Sequence, residues 1–117
     1  MDPLRRNLTN DKANKLLTLV NMLRDLDDEI PAQCIATLFY VASHNNCHKQ
    51  ALEEDLGFTT ASGSRNTDRL SKHHRLNKPG MDLIKKEPDP FNKRRLQLKL
   101  TPKGQVFMDQ LLSVIYD

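Results

Sequence analysis

The segment DPFNKRRLQLKLTPKG, residues 89–104, constrains the fold more than any other part of the sequence. Its middle, RRLQLKL, alternates polar and apolar residues, which is the period of a β-strand with one buried face. The preceding run LIKKE and the turn residues PDPFNK predict a second strand, and therefore a hairpin over residues 83–100. Thr101 and Pro102 suit the N-cap and the first position of a helix. The hairpin therefore leads directly into a helix.

Elsewhere, apolar residues recur at the three- and four-residue spacing of helices. We predict helices over residues 11–26, 31–43 and 102–116, the first of them capped by Asn10 or Asp11. The first and last of these helices carry more apolar side chains than one buried face requires. We therefore expect each of them to lie centrally in the fold or to bury a second face against another chain.

The helix before the hairpin differs in composition from the others. A short helix in KQALEEDLGF should end at Gly57, a residue type that readily adopts the left-handed conformation. The next helix begins at Thr59 or Thr60, whose hydroxyl can cap it. Between Thr60 and Arg75 its only large apolar residue is Leu70. A helix with so few apolar side chains contributes little to a hydrophobic core. Its small and polar side chains favour close approach to a polar partner.

Length and composition are those of one globular domain. With 117 residues, 38% hydrophobic and 28% charged, the chain is expected to form a single domain over residues 1–117. Its predicted fold class is mainly α with a small antiparallel β-hairpin. No apolar run approaches the ~18 residues of a membrane span, and the start of the chain has no apolar signal segment. Two cysteines do not make a disulfide framework, so we expect a cytoplasmic protein. Because no membrane span is predicted, we expect no membrane partner.

Positive charge is concentrated in one segment. Residues 60–104 hold 12 Lys/Arg and 4 Asp/Glu, a net charge of +8, whereas residues 1–59 carry −3 and residues 105–117 carry −2. Such an asymmetry favours an anionic partner for the middle segment. The alternative is a basic hairpin that is simply solvated.

Two segments resemble the MarR family of regulators over about residues 30–108. ALEEDLGFTTASGSRNTDRL resembles the family's helix-turn-helix, in which a leucine, a Leu-Gly pair and a Ser/Thr-rich helix ending in Asp-Arg-Leu follow one another. DPFNKRRLQLKLTPKG is similar to the family's wing, where Asp-Pro-x-Asp-Arg-Arg precedes an alternating strand and Leu-Thr-x-x-Gly. The matching positions are Leu52, Leu56, Gly57, Ser62, Ser64, Arg65, Asp68, Arg69 and Leu70 in the first segment and Asp89, Pro90, Arg94, Leu100, Thr101 and Gly104 in the second.

The resemblance implies a winged helix-turn-helix, with the helix-turn-helix over residues 49–73 and the wing over residues 83–100. It also implies a transcriptional regulator of a bacterium or phage that binds double-stranded DNA as a homodimer, in the simplest case a repressor that occludes a promoter. The predicted helices over residues 11–26 and 102–116 would form the dimer interface.

The resemblance further implies that the polar helix enters the major groove and the wing the minor groove. Arginine can bind guanine with two hydrogen bonds and asparagine can bind adenine in the same way. Cations at a wing suit narrow, A/T-rich minor grooves. The candidate DNA-binding residues are Thr60, Ser62, Ser64, Arg65, Asn66 and Arg69 in the polar helix and Lys93, Arg94 and Arg95 in the wing.

The sequence departs from the family pattern at two places, one within the wing segment and one between the two segments. Asn92 stands where the family's wing usually has Asp, so an acidic partner that would orient Arg94 is missing. The segment between Leu70 and Leu83 is longer than the pattern, so no family role is carried over to residues 73–81.

Other functions stay open on the sequence alone. A winged helix can also serve as an accessory or interaction module of a phage or plasmid replication, partition or packaging complex. A small-molecule effector would need a pocket between the dimerisation helices and the DNA-binding part, which a sequence does not reveal. No nucleophile elbow, phosphate loop or paired-carboxylate motif is present, so we expect no enzymatic activity.

Metal and redox chemistry have little support in the sequence. His44, Cys47 and His48 form one loose cluster, to which His73 and His74 would add ligands only in space, whereas zinc sites usually show two paired-ligand motifs. We therefore expect no metal and no cofactor. Cys34 is expected to be a small core residue. Apart from the adjacent His48, neither cysteine has a neighbourhood that favours a thiolate.

Overall fold

The computed structural model describes residues 4–72, 74 and 78–116. Most of these residues lie in five helices, which accompany a small antiparallel sheet, as the sequence predicted. The elements are α1 (Asp11–Leu26), α2 (Ala32–Ser43), β1 (Cys47–His48), α3 (Lys49–Leu56), α4 (Thr60–Leu70), β2 (Ile84–Pro88), β3 (Leu96–Leu100) and α5 (Pro102–Tyr116).

Local chemistry sets several of the helix ends where the sequence indicated them. Asn10 caps α1 by accepting the backbone N–H of Ala13, and Thr59 caps α4 by accepting that of Ser62. Gly57 ends α3 in the left-handed conformation, with φ 70°, which costs glycine little because it has no Cβ. The side chains of Asn10 and Thr59 thus satisfy backbone N–H groups at the starts of α1 and α4, which have no partner inside the helix.

The sheet has three strands rather than the two of the predicted hairpin. β2 and β3 form the expected hairpin, with Lys86 opposite Leu98. On the other edge of β3, Cys47 lies opposite Leu98 and His48 opposite Gln97. The polar segment HNNCH shows no strand pattern in the sequence, yet its last two residues form β1. A strand of two residues is too short to show alternation and forms only because β3 presents an open edge.

The polar helix is shorter than predicted. It ends at Leu70, where the backbone N–H of Ser71 donates to the carbonyls of Thr67 and Asp68. Further carbonyls of this end accept from the segment that leads into β2. The Met81 N–H donates to the Arg69 oxygen at 3.0 Å and the Leu83 N–H to the Leu70 oxygen at 2.8 Å. The end of α4 is therefore tied to the start of the wing. His73, named in the sequence analysis beside the loose His/Cys cluster, lies outside the described residues.

One core joins every helix to the sheet. α2 is central: it contacts α3, α4 and β3. The buried apolar side chains are Leu23, Cys34, Leu38, Val41, Leu52, Leu70, Leu83, Ile84, Leu98, Met108 and Leu111. Leu70 is fully buried, so the one large apolar residue of α4 anchors that helix in the core.

The first and last helices pack on each other and keep apolar side chains in solvent. α1 contacts α5. The exposed apolar side chains of this pair, which we call the α1–α5 apolar surface, are Leu16, Leu17 and Val20 on α1 and Val106, Leu112, Ile115 and Tyr116 on α5. Within the described part of the chain, no helix is both long and apolar enough to cross a membrane.

Candidate nucleic-acid interface

The helix α4 has one buried and one exposed side. Gly63, Asn66, Thr67 and Leu70 are buried, and they recur at the three- and four-residue spacing of one helical face. On the opposite face Ala61, Arg65 and Asp68 point outward, and Ala61 and Arg65 are exposed. Since small and polar side chains dominate this outer face, the helix backbone can approach a partner closely.

Arg65 is an exposed cation on this outer face. Lys72 is also exposed, but it lies two residues beyond the end of α4, after the extended C-cap residue Ser71. The Arg65 guanidinium donates to Ser62 Oγ at 3.2 Å, which holds it along the helix. Lys72 was missed at the sequence level. Because α4 ends before Lys72, helical spacing from Arg65 gives no signal for it.

Asn66 and Ser62 point to α2 instead. The Asn66 amide donates to Gln33 Oε1 at 3.1 Å and to the Ser62 carbonyl at 2.9 Å. Ser62 Oγ donates to the same Gln33 oxygen at 3.4 Å. Asn66 is only 8% exposed, so its side chain orients α4 against α2 rather than presenting donors to solvent. Gln33 was not recognised from the sequence, because a partner 33 residues away leaves no local pattern.

The other predicted residues of α4 lie beside the outer face. Thr60 is exposed at the first turn, and Ser64 is half-buried one turn before Asp68. Arg69 is half-buried and faces the end of α1, where it lines a cavity of about 590 Å³ together with Asp25, Asp27 and Lys103. The Arg69 side chain therefore faces α1, although Arg69 lies only one turn after Arg65.

The wing displays its three cations in solvent. Lys93, Arg94 and Arg95 are all exposed in the loop between β2 and β3. The Arg95 N–H donates to the Asn92 carbonyl at 3.0 Å, and the Arg94 N–H donates to Asn92 Oδ1 at 3.2 Å. Asn92 therefore holds the backbone of Arg94. Among the described residues no side chain pairs with the Arg94 guanidinium.

Asp89 anchors the base of the wing loop. Its Oδ1 accepts the Phe91 N–H at 2.7 Å, and its Oδ2 lies 2.5 Å from Nε2 of His48 in β1. The bond from His48, followed by that from the Phe91 N–H, lowers the pKa of the Asp89 carboxyl below its ordinary value. β1 immediately precedes α3, so the His48–Asp89 bond links the wing loop to the start of the helix-turn-helix.

A second link joins the wing to α4. Lys86 of β2 forms an ion pair with Asp68 on the outer face of α4. On the other side of the hairpin Lys99 pairs with Glu87 at 2.6 Å. Lys99 and then Lys85 lower the pKa of the Glu87 carboxyl. The wing and α4 are therefore connected directly, so that their exposed cations keep a defined relative position.

A buried ion pair supports the turn between α3 and α4. Lys49 pairs with Glu53, and both side chains are nearly buried. The Lys49 ammonium also lies 3.5 Å from the Thr60 carbonyl. Gly63 leaves the space that Glu53 occupies: a Cβ there would lie 2.0 Å from Glu53 Oε2. The close packing of α3 on α4 therefore depends on glycine at this position.

No metal-binding cluster is found among the described residues: none of their histidines, cysteines and carboxylates gather in a group of three or more. Cys34 is buried, and burial raises the pKa of its thiol to about 11. Burial also raises the pKa of Cys47. Both thiols are therefore protonated at neutral pH, which disfavours reaction with oxidants.

These elements define a winged helix: a helix-turn-helix of α3 and α4, followed by a β-hairpin wing and flanked by α1 and α5. This is the fold of MarR-family transcriptional regulators, as the sequence resemblance implied. Neither a protein-family model nor a curated protein sequence matches the chain.

Three solved structures illustrate the likeness. A MepR–DNA complex from S. aureus has a TM-score of 0.69 at 19% identity, covering 88% of this chain and 77% of that one. A MarR mutant from E. coli with operator DNA has a TM-score of 0.64 at 22% identity, covering 90% and 68%. The PcaV regulator from Streptomyces coelicolor with its natural ligand has a TM-score of 0.60 at 21% identity, covering 89% and 70%. At these identities the likeness concerns the fold.

Proposed function

We propose that the protein is a transcriptional regulator that binds specific sequences of double-stranded DNA. The observation that carries this proposal is the arrangement of exposed cations: Arg65 on the outer face of α4, Lys72 just beyond the end of that helix, and Lys93, Arg94 and Arg95 on a wing tied to α4 by Lys86 and Asp68. MepR and MarR, which share the fold, have been solved in complex with DNA. The net charge of +8 over residues 60–104 complements a phosphate backbone.

In this proposal α4 lies in the major groove and the wing in a flanking minor groove. Arg65 reads base edges, because it is the exposed side chain on the outer face that can form two bonds to guanine. Arg94 enters the minor groove, while Lys72, Lys93 and Arg95 bind phosphates. Thr60, Ser64 and the N–H groups at the start of α4 lie where phosphate contacts set the docking position. Asn66 and Ser62 hold α4 against α2, and Arg69 contributes to the local positive charge.

We further propose that the protein acts as a homodimer through the α1–α5 apolar surface. An apolar surface formed by two neighbouring helices is unfavourable in water, and a second copy would bury it symmetrically. A dimer places two copies of α4 against two half-sites about one helical turn, or 34–36 Å, apart. Binding at a promoter would then block transcription.

The test is selection of bound duplexes from random and genomic DNA, followed by fluorescence-anisotropy titrations at several salt concentrations. We expect a pseudo-palindromic site and an affinity that falls steeply between about 50 and 200 mM salt through counterion release. Arg65→Ala should relax the preference at one base position, at a cost of about 1–3 kcal/mol. Arg94→Ala should weaken binding most on A/T-rich flanks. Arg6→Ala, which removes an exposed cation that precedes α1 and lies outside the basic segment, is the matched control and should bind normally.

Selection of no sequence, or affinity that does not respond to salt, would refute the proposal. A reporter assay separates regulation from an accessory role. A regulator represses a promoter that carries the selected site, whereas an accessory module leaves that promoter unchanged.

A further inference from the structure

The tip of the wing carries an aromatic ring that the described structure leaves uncovered. Phe91 is 97% exposed, which is more than any other large apolar residue whose exposure is described. Isolated exposed apolar residues are common on protein surfaces, so exposure alone carries no inference. What distinguishes Phe91 is its place at the apex of a hairpin and the groups that surround it.

The backbone at this apex is held in place. The Phe91 N–H donates to Asp89 Oδ1, and Asp89 is itself held by His48. The Asp89 N–H donates to the Arg95 carbonyl at 2.9 Å and closes the loop. Pro90 fixes the backbone dihedral φ just before the ring. An aromatic side chain on a preformed backbone loses little entropy when it binds.

The charged residues next to the Phe91 ring indicate which kind of partner it binds. Lys93, Arg94 and Arg95 follow within four residues and are all exposed. A purely apolar protein pocket would have to desolvate these cations, whereas a nucleic acid offers phosphates for the cations and stacked bases for the ring. Proteins that bind the minor groove insert phenylalanine or leucine between base steps in this way and kink the duplex.

We propose that Phe91 is a wedge that inserts between two base pairs from the minor-groove side, unstacks that step and bends the DNA, while the neighbouring cations bind the phosphates. This inference rests on the proposed DNA-binding function. The step that it selects is a pyrimidine–purine step such as TA or CA, because these unstack most easily. Phe91 is thus a specificity-determining residue of the wing that acts through deformability of the DNA.

The experiment uses a duplex of about 30 base pairs, long enough for two half-sites one helical turn apart, that carries the sequence selected by the full-length protein. 2-Aminopurine replaces adenine at each flanking pyrimidine–purine step in turn, and two dyes at the duplex ends report bending by energy transfer. With the wild-type protein we expect 2-aminopurine fluorescence to rise at one step per wing and energy transfer to increase. Phe91→Ala should abolish both signals and lower affinity roughly tenfold, the scale of losing one base–aromatic stack.

Lys93→Ala is the matched control, since it lies in the same loop and removes a cation in place of the ring. It should lower affinity and its salt dependence but keep the fluorescence rise and the bend. If wild-type protein binds the duplex without either signal, or if Phe91→Ala retains both, the wedge is refuted while the DNA-binding function stands. If wild-type protein binds no selected duplex at all, the proposed function fails and the wedge fails with it.

Discussion

Nε2 of His48 lies 2.5 Å from Oδ2 of Asp89, across 41 residues of chain. This bond joins the two-residue strand β1 to the base of the wing loop. The other carboxylate oxygen of Asp89 accepts the Phe91 N–H. One carboxylate therefore both ties the wing to the helix-turn-helix and shapes its apex, directly beside the cations proposed to bind DNA.

Replacing Asp89 by Asn should destabilise the protein in a pH-dependent way. The hydrogen bond from His48, followed by that from the Phe91 N–H, lowers the pKa of Asp89 in the folded state, so the unfolded state binds the proton more readily. The stabilisation is therefore complete above the ordinary carboxyl pKa of about 3.9 and is lost as the pH falls through the lowered folded value. Urea unfolding should show Asp89→Asn less stable than wild type at pH 6, with the difference shrinking at acid pH.

Asp109→Asn is the control for that measurement, because Asp109 is exposed on α5 and accepts only from the Gln105 side chain among the described hydrogen bonds. A stability difference for Asp89→Asn that stays constant from pH 6 into the acid range would contradict the assigned role of the carboxylate.

Replacing Gly63 by Ala should destabilise the protein although alanine is the better helix former. The helix propensity favours alanine by about 1 kcal/mol. The new Cβ, however, would lie 2.0 Å from Glu53 Oε2 and 2.6 Å from Glu53 Cγ, so the whole side chain must move. That movement disrupts the pair with the nearly buried Lys49, a loss that outweighs the propensity gain. We expect a net loss of about 1–3 kcal/mol in urea unfolding.

A double-mutant cycle tests the cause. In a Glu53→Ala background the clash is absent, so the same Gly63→Ala change should be neutral or stabilising. An equal loss in both backgrounds would show that Glu53 is not the reason for glycine at this position.

Cys34 should be unreactive in the folded protein. Burial raises the pKa of its thiol to about 11, and the thiolate is the reactive form. At pH 7.5 we expect alkylation of Cys34, followed by mass spectrometry, to be slower than in urea-unfolded protein by about a hundredfold or more, since each pKa unit reduces the thiolate fraction tenfold. Rapid labelling of Cys34 without unfolding would be inconsistent with this burial.

A charge in the α1–α5 apolar surface should separate the proposed dimer. Val20 is exposed on α1, one turn after the exposed Leu16 and Leu17. We expect wild-type protein to have about twice its chain mass of 13.5 kDa by light scattering and Val20→Glu to have the chain mass itself. DNA affinity should fall when dimerisation is lost, since each half-site is then bound separately. Asn14→Glu, on the same helix but outside the apolar surface, should stay dimeric; a monomeric wild type would rule the interface out.

Local patterns in the sequence determined most of the secondary structure. The structure confirms the predicted bounds of α1, the end of α3 at Gly57, the start of α4 after Thr59 and the β2–β3 hairpin. These features were predictable because capping, glycine conformation and strand alternation depend on neighbouring residues. The resemblance of two segments to MarR proteins also anticipated the winged-helix fold. The exposed cations of the wing follow from the same local reasoning.

Tertiary structure alone decided which side chains of α4 face outward and how the wing is held. Asn66 looks like a base-reading residue in sequence, yet the core position of Leu70 turns Asn66 inward to Gln33. The strand β1, the His48–Asp89 bond and the Lys86–Asp68 pair each join residues far apart in the chain. Such contacts depend on the packing of α2, α4 and the sheet around one core, and no local spacing encodes them.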